Sequence, residues 1–518
     1  MPSAVWIPKI RQATGPKQPG NIGGGVGLAP LLVGLAGILY LLTAPGHLQS
    51  GDMRSEFAVA QSMTAGSFAV MPSLPTVDVP SVTGSDGRQY SKYGVGQSIL
   101  LLPAAAVGRL AGCPADPAHC PAGAQRRAEE AASLLDGVMA ALTVGLLFLL
   151  ALELGASAGA AVALALLFGF ATIEWDYAHD SFDVGPAGFF ILAALFAARR
   201  AAVRDGIGWP LLAGAATGFA VLVRITDVGI APLVAAYLLL AIRPDSPRRA
   251  VRAVLLFSLA VTVALALIGV YDWMRFGSFF ETGYGLSPDP IQWRNPLAGG
   301  LAGLLFSPGK GLFVYSPVLL AAMLGWGALF RRDRAFTILL AAIVVEMVAL
   351  YSSYAVWSGD WAWGPRYLVP VTALLILPLL PSLEGWRKTS TRWRVSLVAL
   401  SVLSAAVAML GVAVDYLHQI ILEVTSGRDI AAYWNPSRSA VWRHLETIVA
   451  IVQGTAPYPA YSGPGDVAMG VPTITTFDFW WVYELTKGTS PLLVLSLLAM
   501  LVLISLRLVW HIRARLGA

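Results

Sequence analysis

Asp52 stands just beyond the first long apolar block of this 518-residue chain, and Lys92 follows it forty positions later. A carboxylate so placed can take a proton from a hydroxyl nucleophile. A lysine ammonium meets an anion as a point charge, whereas an arginine guanidinium grips a phosphate as a bidentate fork. Arg224, between two apolar runs and three residues before Asp227, and Arg366, in Trp363-Gly364-Pro365-Arg366-Tyr367, are candidates for that grip. Trp357, Asp360, Trp363 and Tyr367 combine aromatic faces with an acid, a mixture suited to sugar or phosphate contact. Trp and Tyr also gather at membrane interfaces because their rings are amphipathic. Glu174, Asp176, His179, Asp180 and Asp183 form a further acidic group, equally readable as a hydrated loop. No His/acid spacing here specifies a metal, and Ser307-Pro308-Gly309-Lys310-Gly311 lacks the spacing of a nucleotide loop.

The elements that must position these groups are membrane helices. The chain is 56% hydrophobic and 13% charged, against about 25% charged in an ordinary soluble protein. Its apolar residues come in blocks of about 18–22, the length that crosses a hydrocarbon core of about 30 Å. A soluble enzyme is excluded, and an all-α polytopic membrane protein is predicted. Spans are expected near 27–44, 128–152, 157–174, 184–198, 209–224, 226–242, 253–272, 311–330, 335–356, 367–383, 395–414 and 490–510. The net charge of +5 has no basic patch with interleaved aromatics behind it, so no nucleic-acid partner is expected.

About twelve spans put both termini on one side. That side carries Lys9, Arg11, Lys17, Arg199, Arg200, Arg204, Arg243, Arg248, Arg249 and Arg252. It also carries Arg331, Arg332, Arg334, Arg387, Lys388, Arg392, Arg394, Arg513 and Arg515. These are 19 of the 35 basic residues, packed into short segments, which orients that side toward the cytoplasm. Most acidic residues fall on the outward side, where carboxylate chemistry would then occur. The expected organisation is a cytoplasmic tail over 1–26, a core over 27–414 with an external loop at 45–127, an external loop or small cap at 415–489, and a last span with a cytoplasmic tail at 490–518. Residues 27–44 read as a retained span rather than a cleaved leader. No internal repeat is evident. Cys113 and Cys120 lie in a Pro-rich turn of the first loop, where an oxidising exterior would let them pair; free thiols remain the alternative. The run 98–112 reads as a helix at the membrane surface. Glu346, inside a span, is expected to face a partner within the bundle. The aromatics Trp434, Trp442, Tyr458, Tyr461, Trp480 and Trp481 would furnish a cap bearing on acceptor choice.

The segment Asp52-Met53-Arg54-Ser55-Glu56-Phe57-Ala58, followed by Tyr90-Ser91-Lys92-Tyr93-Gly94, resembles the first external loop of the GT-C glycosyltransferases, particularly the protein mannosyltransferase and lipid A aminoarabinose transferase group. Weaker similarity runs through Tyr177 to Asp183, Leu222-Val223-Arg224 and Trp363 to Tyr367. Two departures mark a divergent branch: Met53 replaces the usual second acid, and Lys92-Tyr93-Gly94 replaces Lys-Pro-Pro. The resemblance implies a GT-C-like bundle with external surface helices. It implies transfer of a hexosyl or pentosyl unit from a polyprenyl-phosphate donor to a lipid, glycan or protein acceptor on the non-cytoplasmic face, with inversion. Asp52 would be the general base, and Asp183, then Asp180, the second functional acid. Lys92, Arg224 and Arg366 would hold the donor phosphate, while Glu56, Tyr93, Trp357, Asp360, Trp363 and Tyr367 would meet sugar or acceptor. No cofactor is required, although a divalent cation would be compatible. The Asn residues Asn21, Asn295 and Asn435 form no acceptor sequon, which favours a bacterial plasma membrane. The main rival is a polyprenyl-linked glycan flippase or transporter, which would share the basic cavity but need no Asp52. A membrane scaffold without chemistry is the third alternative.

Overall fold

The computed structural model describes residues 26–70, 79–114, 116, 119–242, 244, 246–287, 292–359, 362–416, 433–455, 476–486, 488 and 490–516. It is an all-α polytopic membrane protein. Among the described residues, eight helices are long and apolar enough to cross a membrane: Ala122–Glu153, Val184–Val203, Ile225–Ile242, Pro247–Phe276, Arg334–Ser352, Arg366–Glu384, Thr391–Ala413 and Leu492–His511. Four shorter apolar helices accompany them, Ala29–Leu42, Ala158–Phe170, Gly208–Val223 and Leu297–Phe306.

Three expected elements differ from the observed ones. The stretch 311–330 is broken into Leu312–Tyr315, Val318–Met323 and Trp326–Arg332, with Pro317 at the first break, because proline has no N–H for the helical ladder. The stretch 367–383 alternates between 3-10 and α turns around Pro370, Pro378 and Pro381 for the same reason. Leu297–Phe306 is a helix inside what reads as an outward loop; Asn295 Nδ2 donates to the carbonyl of Ser352 at 2.7 Å and docks it on Arg334–Ser352.

Two long helices define the ends of the bundle. Leu135–Glu153 begins with Asp136, which accepts from the backbone N–H of Phe182, and ends at Glu153, 2.9 Å from Arg200. Val184–Val203 begins after Asp183 and carries Arg199 and Arg200 at its far end, where Arg199 pairs with Asp333. Arg332–Glu384 and Arg252–Asp205 pairs tie further basic loops together. At 1.5 Å per residue, about 28 Å of helix separates the Asp183 end from this basic end, close to a hydrocarbon thickness.

Gly208–Val223 packs closely on Pro247–Phe276. A Cβ on Gly214 would lie 2.3 Å from the Phe257 carbonyl oxygen, and one on Gly218 would lie 2.5 Å from Ala264 Cβ, so this small-xxx-small face sets the depth of the helix. That placement delivers Arg224, the residue after the helix, to the Asp183 end.

Candidate active site

Asp52 lies in the first turn of Gly51–Met63, whose N-terminus is capped by Ser50 Oγ accepting from Met53 N–H at 3.1 Å. Ser50 Oγ itself donates to the carbonyl of Ser181, coupling the Asp52 segment to that of Asp183. A two-residue antiparallel hairpin, Val82–Thr83 with Gln89–Tyr90, leads into Ser91-Lys92-Tyr93. Ser55 Oγ lies 2.9 Å from Ser91 Oγ, and buried Arg275, paired with Asp272 at 2.5 Å, donates to the Ser91 carbonyl. Lys92 is thereby held beside Asp52.

Gly94 and Gly96 bring the same segment against Arg224. A Cβ on Gly94 would stand 2.3 Å from the Leu222 carbonyl oxygen, and one on Gly96 2.6 Å from Val223 N. The departure from Lys-Pro-Pro at Gly94 therefore has a packing reason: only glycine permits this approach.

These elements close around a cavity of about 110 Å³ lined by residues that include Asp52, Lys92, Tyr93, Asp183, Arg224 and Arg366. Tyr93 donates to Asp52 Oδ1 at 2.5 Å, and Arg366 Nη1 lies 3.2 Å from Asp52 Oδ2. Arg224 pairs with Asp183 and donates to Tyr351 Oη at 2.9 Å. Tyr351 and Tyr367 stack at 4.3 Å and 4°, forming a flat wall under Arg224. Lys92 Nζ lies 5.6 Å from the Tyr93 ring centre and 5.9 Å from that of Tyr284. Among the described residues it has no carboxylate within ion-pair distance, whereas both guanidiniums already do. The cavity thus offers one acid held by two partners, a second acid neutralised by arginine, and a lysine with no acidic partner. Such a site can accept a proton and bind an oxyanion.

No protein-family model matches this chain, and no curated protein matches it significantly in sequence. Its structure is similar to the crystal structure of ArnT from Cupriavidus metallidurans bound to undecaprenyl phosphate, with 14% identity over 87% of this chain and 85% of that one and a TM-score of 0.47. It is also similar to the oligosaccharyltransferase AglB from Archaeoglobus fulgidus in complex with an inhibitory peptide and a dolichol-phosphate, with 13% identity over 76% of this chain and 55% of that one and a TM-score of 0.43.

The remaining sequence candidates lie elsewhere. Asp180, which caps the C-terminal end of the helix Glu174–His179, is buried beside His179 and outside the cavity lining. Glu56 sits behind Asp52, 1% exposed, with neither carboxylate oxygen hydrogen-bonded among the described residues. Burial, reinforced by Asp183 and Asp52, pushes its carboxyl well above the ordinary range. Trp357 packs its ring against Tyr433, and Trp363 is fully buried against Tyr315 and His444; both are core residues rather than cavity walls. Asp360 lies outside the described residues, as do Tyr458 and Tyr461. Trp480 and Trp481 donate to the carbonyls of Leu41 and Leu42, closing the end of the first helix. Trp434 and Trp442 are exposed.

Arg224 pairs with Asp183 and not with Asp227, whose carboxylate is buried without a hydrogen bond among the described residues. Glu346 faces Gly229, on the same 3-10 turn as Asp227. Cys113 and Cys120 are joined as a disulfide. Sequence reasoning missed Tyr351, Tyr354, Trp293 and Thr226 as cavity walls. The two tyrosines lie at the C-terminal end of the apolar span Arg334–Ser352, where interfacial aromatics are expected in any membrane protein.

Proposed function

We propose that this chain is a GT-C-type glycosyltransferase that transfers a hexosyl or pentosyl unit from a polyprenyl-phosphate donor to a lipid, glycan or protein acceptor, with inversion. The observation that carries the reading is Asp52, held by Tyr93 and Arg366 in a cavity shared with Lys92, which has no acidic partner among the described residues. An acceptor hydroxyl would give its proton to Asp52 as its oxygen attacks the anomeric carbon. The bond from that carbon to the phosphate oxygen breaks, and the polyprenyl phosphate departs with the electron pair. Lys92 is placed to meet the phosphate as it gains charge, with Arg224 and Arg366 as the neighbouring guanidiniums. Polyprenyl phosphate leaves as a stable anion, so the step needs cations more than protonation, and these residues supply them without a metal.

The clustering of Arg199, Arg200, Arg252 and Arg332 at the far end of the bundle supports a cytoplasmic orientation for that end. The cavity then opens on the periplasmic or outer face of a bacterial plasma membrane. The test is purified protein in lipid, offered a panel of radiolabelled polyprenyl-phosphate sugars together with membrane extract. Label passing from one donor to an acceptor supports the reading. A protein that moves every donor across the bilayer with its sugar-phosphate bond intact is a transporter.

A further inference from the structure

The helix Ala440–Val452, in the stretch that reads from sequence as a loop or cap, carries its polarity the reverse way for a segment bathed in water. Its buried positions are Ala440, His444 and Thr447. His444 Nδ1 donates to the backbone carbonyl of Leu410 at 2.9 Å, and its ring stands 4.6 Å from that of Trp363. The side chains turned outward are Trp442, Leu445, Val449 and Val452, which are 41–73% exposed among the described residues. At about 100° per residue, this apolar stripe is centred about 150° around the helix from the buried positions. Arg443 and Glu446, paired at 3.0 Å, occupy one edge between the two faces, while Val441 and Ile448 fill the other. A surface helix in water buries its apolar stripe and wets its polar face. Here the polar face is packed and the apolar one is open, which points to an apolar medium beyond it.

The neighbours of the helix fix its depth. Leu410 stands nineteen residues into the span Thr391–Ala413, about 28 Å from its Arg392 end and so at the border of a hydrocarbon core about 30 Å thick. On that span Val398, Val402 and Met409 are exposed, as lipid-facing side chains are. Ser439 Oγ, at the start of the helix, donates to the Pro308 carbonyl at 2.7 Å, two residues beyond exposed Phe306 on the apolar helix Leu297–Phe306. The stripe therefore continues a lipid-facing surface at its rim. Thirteen residues extend only about 20 Å, too short to cross the bilayer.

We propose that Ala440–Val452 is an in-plane membrane helix whose stripe from Trp442 to Val452 lies among the lipid acyl chains of the leaflet on the cavity's side of the bilayer. The edges agree with this placement: the Arg443–Glu446 edge faces headgroups and water, and the Val441–Ile448 edge faces the bilayer interior. Trp442 Nε1 donates to Glu446 Oε1 at 2.8 Å, which sets the polar end of an interfacial ring at the charged edge. Trp363, against which His444 packs, precedes Arg366 by three residues, so the anchored helix braces the segment that carries this cavity cation. The placement does not depend on the transfer reaction.

The test is spin labelling of the full chain in vesicles of phosphatidylethanolamine and phosphatidylglycerol, with oxygen as the apolar relaxant and a water-soluble nickel chelate as the polar one. The two native cysteines are joined to each other, so Leu445→Cys, Val449→Cys and Glu446→Cys each carry a single label. Val402→Cys, in the span Thr391–Ala413, is the lipid-facing reference. None of these side chains is buried, and an unfolding midpoint near the parental one shows that each variant folds. Should one variant fail that check, Trp442→Cys reads the same stripe. Labels at 445 and 449 should collide more often with oxygen than with nickel, as at 402, whereas the label at 446 should favour nickel. Nickel collisions that exceed those of oxygen at 445 and 449 mean a water-facing cap and overturn the proposal. Low access to both relaxants means that another protein surface, from this chain or a second copy, covers the stripe, and overturns it equally.

Discussion

Arg366 reaches the carboxylate of Asp52 at 3.2 Å across 314 positions of sequence. One pair thus joins the helix Gly51–Met63 to the start of a late proline-broken segment, and it fixes the acid from the side opposite Tyr93. Asp52 is consequently a held carboxylate, not a solvated one at a membrane surface. That difference separates the catalytic reading of the residue from an interfacial one.

Among the described residues, Lys92 is the cavity cation without a carboxylate to neutralise it, so its replacement should be felt in donor binding. Hydrogen bonds to charged groups contribute about 1.5–3 kcal/mol, and 1.4 kcal/mol is tenfold in affinity. Lys92→Ala should weaken polyprenyl-phosphate binding by about tenfold or more on that scale, with the fold intact. Titration of lipid phosphate into the purified variant checks this, and parental affinity would move the phosphate site elsewhere.

Arg224 and Asp183 form a largely buried pair, so removing one partner leaves an uncompensated charge. Arg224→Met alone should cost about 3–5 kcal/mol of stability, and adding Asp183→Leu should recover much of it. A double-mutant cycle by chemical denaturation measures the coupling. Losses that simply add would show that the two side chains act independently.

Much of this site is legible in the sequence because polar residues flanking apolar blocks stand out. Asp52, Lys92, Arg224 and Arg366 are of that kind, and the structure brings them together. Asp180 and Asp183 are three residues apart in one acidic group, and only the end of the Glu174–His179 helix decides which faces the cavity. Trp357 and Trp363 look like a sugar platform in sequence, yet an aromatic near a span end packs inward as readily as outward. The break at Pro317 was visible as a proline but hidden by the apolar run around it.

Glu174, on the short helix between two apolar ones, gives a pH dependence of stability. Burial raises its carboxyl from an ordinary 4.5 to about 8, with Tyr40 and Asp136 as titratable neighbours. The folded protein holds this proton more tightly than the unfolded chain does. Its contribution is therefore complete below 4.5 and is lost as pH rises toward 8. Glu174→Gln cannot ionise, so its unfolding midpoint should match the parent at acidic pH and exceed it at pH 8. Parallel pH profiles would mean that Glu174 is ionised in the folded state.

Orientation is open to chemical labelling, since the two native cysteines are locked together and leave a clean background. Gln453→Cys, at an exposed position, should react with a membrane-impermeant reagent in intact cells, and Arg331→Cys only with a permeant one. The opposite pattern would place the cavity on the cytoplasmic face.

Asp52→Asn bears most directly on the central claim, because asparagine keeps the size and much of the hydrogen bonding but cannot take a proton. General-base assistance contributes about 10²–10⁴-fold. Sugar transfer from the labelled donor should fall by that range while donor binding and the unfolding midpoint stay near parental values. A variant retaining more than about a tenth of parental transfer would fall outside that range. Asp52 would then not be the base, and Asp183 would be the next acid to replace.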